Sequence, residues 1–306
     1  MTTVFVNICI MIGTMFCGWG LVKARKAVSD HAKSISGILI YLCGPCMVLN
    51  AFQSLPYDAG FFGKAMLFFG VALTVMVVFY LLMALLFRKK LDNPKYRVLT
   101  VASILGNVGY FGLPVITGLF PDQPIVACYS IMYTAAMNIL LFTLGVFMLT
   151  RDRKYISFKD ALLNPATLAT IISIPLYLLR VQFPGSIADI VALLGKMTTP
   201  LCMIVLGMRL ASMEFVHTFT RGFAYIACAM KLIVYPLFAY ACVYFIPGLD
   251  DVFKSSLCIL SATPTAALLL SLAEQHECER KICASVLLIS AIACVLTIPL
   301  LVWITG

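Results

Sequence analysis

Long apolar runs alternate with short charged or turn-rich segments along the whole chain. In the first half the apolar stretches are 4–22, 34–55, 62–87, 98–120 and 125–150; in the second they are 165–181, 187–212, 222–245, 252–276 and 281–304. A helix needs about 20 mostly apolar residues to cross a bilayer. The pattern therefore predicts an all-α membrane protein with ten transmembrane helices. Short connecting segments carry turn residues where turns are needed, among them Pro56, Pro121, Pro184 with Gly185, and Pro247 with Gly248.

Two of the stretches carry breaking residues in their middle. Residues 98–120 read VLTVASILGNVGYFGLPVITGLF and hold Asn107, Gly109, Gly112 and Pro114. Residues 252–276 read VFKSSLCILSATPTAALLLSLAEQH and hold Ser261, Thr263, Pro264 and Thr265. Glycine loses backbone entropy in a helix, and proline has no N–H and clashes with the preceding turn. In hydrocarbon an unpaired backbone group costs several kcal/mol, so a break survives only against protein or a polar cavity. Interrupted spans at corresponding places in two halves point to a secondary transporter built from inverted repeats.

Composition agrees with a polytopic membrane protein: 62% of residues are hydrophobic and 11% charged, against about 25% charged in a soluble domain. No segment is long and polar enough to form a soluble domain. The first apolar run lacks a basic lead-in and is longer than a signal peptide's, so it reads as the first span. The net charge of +9 lies in clusters beside apolar runs, which sets topology and does not suggest nucleic acid. The twelve cysteines fall mostly inside apolar runs, where Cys acts as a small hydrophobe.

Lys23, Arg25, Lys26 and Lys33 follow the first span, and Arg88, Lys89, Lys90, Lys95 and Arg97 the third. Arg151, Arg153, Lys154 and Lys159 follow the fifth, Arg209 and Arg221 flank the segment after the seventh, and Arg280 with Lys281 follow the ninth. Alternate segments hold almost none. The basic segments are expected on the cytoplasmic side of the plasma membrane, with both termini outside. Five spans per half is an odd number, so residues 1–150 and 151–306 would form two repeats of opposite orientation.

Lys196 and Lys231 are the basic residues deep within apolar runs, each ~13 Å from its helix start at 1.5 Å per residue. A cation at that depth is a candidate site residue, although either lysine could instead bond carbonyls or reach for the interface. Asn107 sits where helix continuity should fail and can both donate and accept. Asn50 and Gln53 could line a cavity or bond neighbouring helices. No carboxylate occupies the middle of a run, Asp189 and Glu274 lying near ends, so an acidic proton relay is not expected. Sodium held by carbonyl, Ser, Thr and Asn oxygens remains compatible with these spans, and no other cofactor is expected. His31, His217 and His276 are too scattered for a metal site. Cys43-Gly44-Pro45-Cys46 has the spacing of a redox motif, but its apolar surroundings point to a proline kink.

The segment GNVGYFGLPV, residues 106–115, resembles the fourth-helix signature of the auxin efflux carrier family. LLNPATLATIISIPLYLL from Leu162, TPLCMIVLGMRLA from Thr199 and SATPTAALLLSLAEQ from Ser261 are similar to family segments in the same order. The resemblance implies a ten-helix, five-plus-five inverted repeat related in fold to bile acid sodium symporters, with broken fourth and ninth helices that cross near the membrane centre. It also implies alternating-access transport of an organic anion, either a malate- or malonate-like dicarboxylate or an auxin-like monocarboxylate. The chain lacks the long central loop of many plant members. The expected substrate-binding residues are Asn107, Gly109, Gly112, Pro114, Thr263, Pro264, Thr265, Lys196, Lys231 and Asn50. The expected partners are a small organic anion and the lipid bilayer, with a homodimer left open. The rival readings are a non-transporting membrane receptor or scaffold and an intramembrane thiol oxidoreductase.

Overall fold

The computed structural model describes residues 2–28, 30–211 and 219–305, and every regular element among them is a helix. Six helices are long and apolar enough to cross a membrane: His31–Gln53, Gly60–Leu86, Ile125–Thr150, Gly185–Ala211, Gly222–Tyr244 and Arg280–Thr305. A seventh results if Arg153–Leu163 and Pro165–Leu178, bent by 44°, form one span. The first expected stretch lies in helix Thr2–Lys23. Among the described residues these six or seven helices are fewer than the ten spans expected, while the two stretches expected to be broken are indeed interrupted. Stretch 98–120 divides into Pro94–Ala102 and Val108–Leu119, and stretch 252–276 into Asp251–Ser261 and Ala267–Gln275. Ser212, the expected end of the seventh stretch, and His217 lie outside the described residues.

The first interruption spans 103–107, ends with Gly106 and Asn107, and lies upstream of Pro114. Pro114 instead opens helix Leu113–Leu119, directly after a π-turn at Val108–Gly112. The same arrangement recurs at Leu39–Cys43 before Pro45 and at Met230–Val234 before Pro236. A proline ring collides with the carbonyl four residues earlier, and a turn widened by one residue makes room for it. Cys43-Gly44-Pro45-Cys46 is thus a proline-bearing turn within one span, with Cys43 buried and both sulfurs outside any disulfide.

Outward faces are apolar: Phe245, Leu296, Trp303 and Leu86 are 83%, 76%, 73% and 65% exposed. Such a belt has no place in water and is ordinary against lipid. The helix at Ile125–Thr150 is the inner one: 67% of the residues in its most apolar stretch are buried, against 33% for Gly60–Leu86. Tyr129 of the inner helix stacks on Phe68 at 4.3 Å, and Phe253 meets Phe68 edge-on at 4.9 Å. Helices Thr2–Lys23 and Thr198–Ala211 approach backbone to backbone. A Cβ on Gly18 would strike the Ile204 carbonyl, and one on Gly207 the Met15 carbonyl.

Contacts between connecting segments sort them into two ends. Arg97 Nη1 donates to the Leu149 carbonyl at 3.1 Å, Arg151 pairs with Asp92 at 2.6 Å, and Tyr155 packs on His276 at 4.7 Å. At this end Asp152 accepts the Lys154 backbone N–H and pairs with its ammonium, which holds the Asp152 carboxyl below the usual range. The 28-residue helix Ala59–Leu86 separates this end from the other by ~42 Å. There Gln53 donates to Val181 O and accepts from Phe183 N, Tyr177 donates to Pro56 O, and Lys64 pairs with Asp250. Gln53 is therefore a latch between segments.

Candidate functional site

The two helix interruptions meet inside the bundle. Gly106 and Thr265 form an isolated antiparallel bridge, and the Asn107 N–H donates to the Pro264 carbonyl at 2.7 Å. The Thr265 N–H donates to Ser290 Oγ at 3.0 Å, and the Gly106 N–H faces Met137 Sδ at 3.4 Å. These bonds occupy backbone groups that the broken helices leave over, which is what a break away from water requires. Glycine is needed where the chains touch. A Cβ on Gly106 would strike Thr263 Oγ1 and come within 2.9 Å of Lys231 Nζ, and one on Gly112 would lie 2.9 Å from Thr263 Cγ2. Gly109 is under no such constraint, since its nearest neighbour, Thr134 Oγ1, would lie 3.6 Å away.

Two helices end at this junction and two begin. The ends, Pro94–Ala102 and Asp251–Ser261, run into the Lys231 side chain. Lys231 is fully buried and donates to the carbonyls of Ile104 at 3.1 Å and Ser261 at 2.8 Å. The Tyr235 ring lies 5.1 Å from its ammonium. The Tyr133 hydroxyl bridges Tyr235 Oη at 2.7 Å and Ser261 Oγ at 3.1 Å. The helix starts, at Val108 and Ala267, carry no side-chain cap and open onto a cavity of about 200 Å³.

Of the expected site residues, Asn107, Gly109, Pro264 and Thr265 line this cavity. Gly112, Thr263 and Lys231 serve the junction behind it. Pro114 shapes the helix start, Asn50 lies outside the lining, and the Asn50 carbonyl accepts from Ser54 Oγ. Lys196 is exposed, at the end of helix Gly185–Lys196. Its neighbour Gly195 takes the inward position, where a Cβ would lie 3.0 Å from Met47 Cα. Distance along the axis gave Lys196 a plausible depth, but its azimuth turns it away from the bundle.

Other lining residues were passed over by the sequence reading. Arg209 reaches the cavity wall from helix Thr198–Ala211, near Cys202, whose sulfur lies 3.7 Å from Asn107 Nδ2. Asn138, buried within the inner helix, donates to Thr167 Oγ1 at 3.4 Å, and both line the cavity. The Thr265 hydroxyl is buried and has no hydrogen-bond partner in the protein. An amide in the middle of an apolar run, as in IMYTAAMNILLF, was the signal that could have found Asn138. No carboxylate stands among the described residues of the lining.

Residues 3–160 and 154–303 both match the family described as membrane transport protein, the auxin efflux carrier-like group. The chain belongs to this family. A transporter of Methanocaldococcus jannaschii, itself uncharacterized, is 27% identical to it over 98% of this chain and 96% of the relative. A second uncharacterized transporter, from Methanothermobacter thermautotrophicus, is 26% identical over 70% of this chain and 69% of its own length. As a member of the membrane transport protein family, the chain is a multi-pass membrane protein. Its cavity beside the helix junction is the natural place to look for a transported solute.

Proposed function

We propose that this membrane transport protein is a secondary transporter of a small organic anion, with the carboxylate held at the two helix starts. The supporting observation is the sorting of partial charge at the junction. Helix N-termini carry partial positive charge and unpaired N–H groups, which suit an anion. Here two such ends, at Val108 and Ala267, open onto one cavity, with Arg209 in its wall and no carboxylate among its described lining residues. Asn107 and the Thr265 hydroxyl would complete the donor set, and Leu39, Val48 and Leu113 offer an apolar surface for the rest of the solute. A carboxylate leaving water needs this kind of replacement for its hydration.

In this proposal residues 1–150 and 151–306 are inverted five-span repeats, and the two interruptions are the crossing of the fourth and ninth spans. The cavity lies between His31–Gln53, Pro165–Leu178 and Thr198–Ala211 on one side and the inner helix with the junction on the other. Rocking of the first group against the second would expose the site to each face in turn. The test is counterflow of labelled malonate, malate and an aromatic monocarboxylate into proteoliposomes. Accumulation of at least one above protein-free vesicles is expected. Saturable binding without flux would instead support the receptor reading.

A further inference from the structure

The junction has a second electrostatic feature, on the side away from the cavity. The carbonyls of Ile104 and Ser261 stand at the ends of two helices, where partial negative charge gathers. Such carbonyls, freed where helices break, are ligands of the kind that bind monovalent cations inside transporters. In this protein both accept hydrogen bonds from one side chain, the Lys231 ammonium, at 3.1 and 2.8 Å. An ammonium has three donors and no acceptor. Two are used on carbonyls, and the face of Tyr235 stands 5.1 Å from the nitrogen, within the range of a cation–π contact.

No carboxylate among the described residues pairs with Lys231. The groups around its head are the two carbonyls, Tyr235 and, through Ser261, Tyr133. A buried cation is held only where charge or dipoles replace its hydration, and here helix ends supply what an acidic side chain would otherwise give. The π-turn at Met230–Val234, forced by Pro236, is the local distortion that carries the Lys231 backbone. Glycine at 106 lets the ammonium come close to the junction, since a Cβ there would lie 2.9 Å from Nζ.

We infer that the junction is a monovalent-cation seat filled by the tethered ammonium of Lys231, so that the two helix ends are held together without a bound alkali ion. Its consequence for transport rests on the reading above: an anion would be bound and carried independently of sodium. The seat itself is tested without any substrate. Purified protein is melted in choline chloride, sodium chloride and methylammonium chloride at equal ionic strength, as the unmodified chain and as Lys231→Ala and Lys231→Met.

The unmodified protein should melt at the same temperature in all three salts. Lys231→Ala should melt lower in choline and recover by about 3 °C or more, saturably, in sodium or methylammonium, as expected for a ligand that binds the folded state. Lys231→Met fills the space of the stem without the charge and should recover less. Sodium stabilising the unmodified protein over choline would overturn the inference. So would a Lys231→Ala protein indifferent to both cations. If that variant cannot be melted in choline, the fraction eluting as a single species on size exclusion is compared between salts, and equal recovery counts against the seat. Failure of every carboxylate in the flux assay would remove the anion proposal and leave these melting results standing.

Discussion

Asn107 does two jobs through separate atoms, and substitution can separate them. Its N–H ties the junction to Pro264, while its side-chain amide donates to Cys202 Sγ at 3.7 Å in the cavity wall. Asn107→Ala keeps the first and removes the second, so the melting temperature should change little, by the equivalent of about 1 kcal/mol or less, while carboxylate flux falls. Equal loss of both would make the side chain structural. Arg209 lines the same cavity, and a guanidinium holds a carboxylate by paired donors that a lysine cannot supply. Arg209→Lys should therefore weaken carboxylate binding, and Arg209→Gln should weaken it further, by about tenfold or more for a lost charge-assisted bond. Lys196 offers the contrast. Exposed on the outer face, Lys196→Met should leave both flux and melting within about 0.5 kcal/mol of the unmodified chain. Residue type marked both lysines as candidates, but only their surroundings distinguish them.

Helices in this protein are placed by what they lack as much as by what they bury. Between Thr2–Lys23 and Thr198–Ala211, Gly207 lets one backbone lie on another, and a methyl group there would meet the Met15 carbonyl. Backbone cannot move aside as a long side chain can. Gly207→Ala should lower stability by at least about 1–3 kcal/mol, the usual cost of overpacking. Gly13→Ala on the same first helix meets nothing within 4 Å and should be neutral or stabilising, by up to about 1 kcal/mol from helix propensity. Melting the two variants side by side checks the contact, and equal behaviour would refute it. The same logic applies to the interruptions. Proline was the obvious breaker by composition, and Pro264 does stand in its break. Pro114, however, sits past the first one, where Gly106 and Asn107 leave the helix to pair with the other chain segment.

At the scale of the whole molecule, the basic segments 88–97 and 151–155 come together at one end, and 53–58 with 177–183 at the other. By the charge rule the basic end is expected on the cytoplasmic side. Cysteines introduced at Lys89 and at Gly306, in a background with the exposed Cys9, Cys17 and Cys242 replaced by serine, should react with an impermeant maleimide from opposite sides. Labelling from one side would dismantle the inverted repeat. The sequence by itself determined that this is a multi-pass helical protein, because apolar runs of bilayer length have no other stable form in lipid. It also determined which two stretches are interrupted, though not the residue at which the first one breaks, and which segments carry the basic charge, since these depend on residues and their neighbours in the chain. It contained the family signature around Gly106–Val115 as well. What only the tertiary structure decided is which polar groups share a space. Lys231 and Lys196 have similar depth in their runs, yet one closes the junction and the other faces outward, because azimuth depends on how neighbouring helices pack. Arg209 read as a topological charge and Asn138 as one polar residue in an apolar run. They became cavity wall only when helices far apart in sequence were brought together around two breaks that bond to each other.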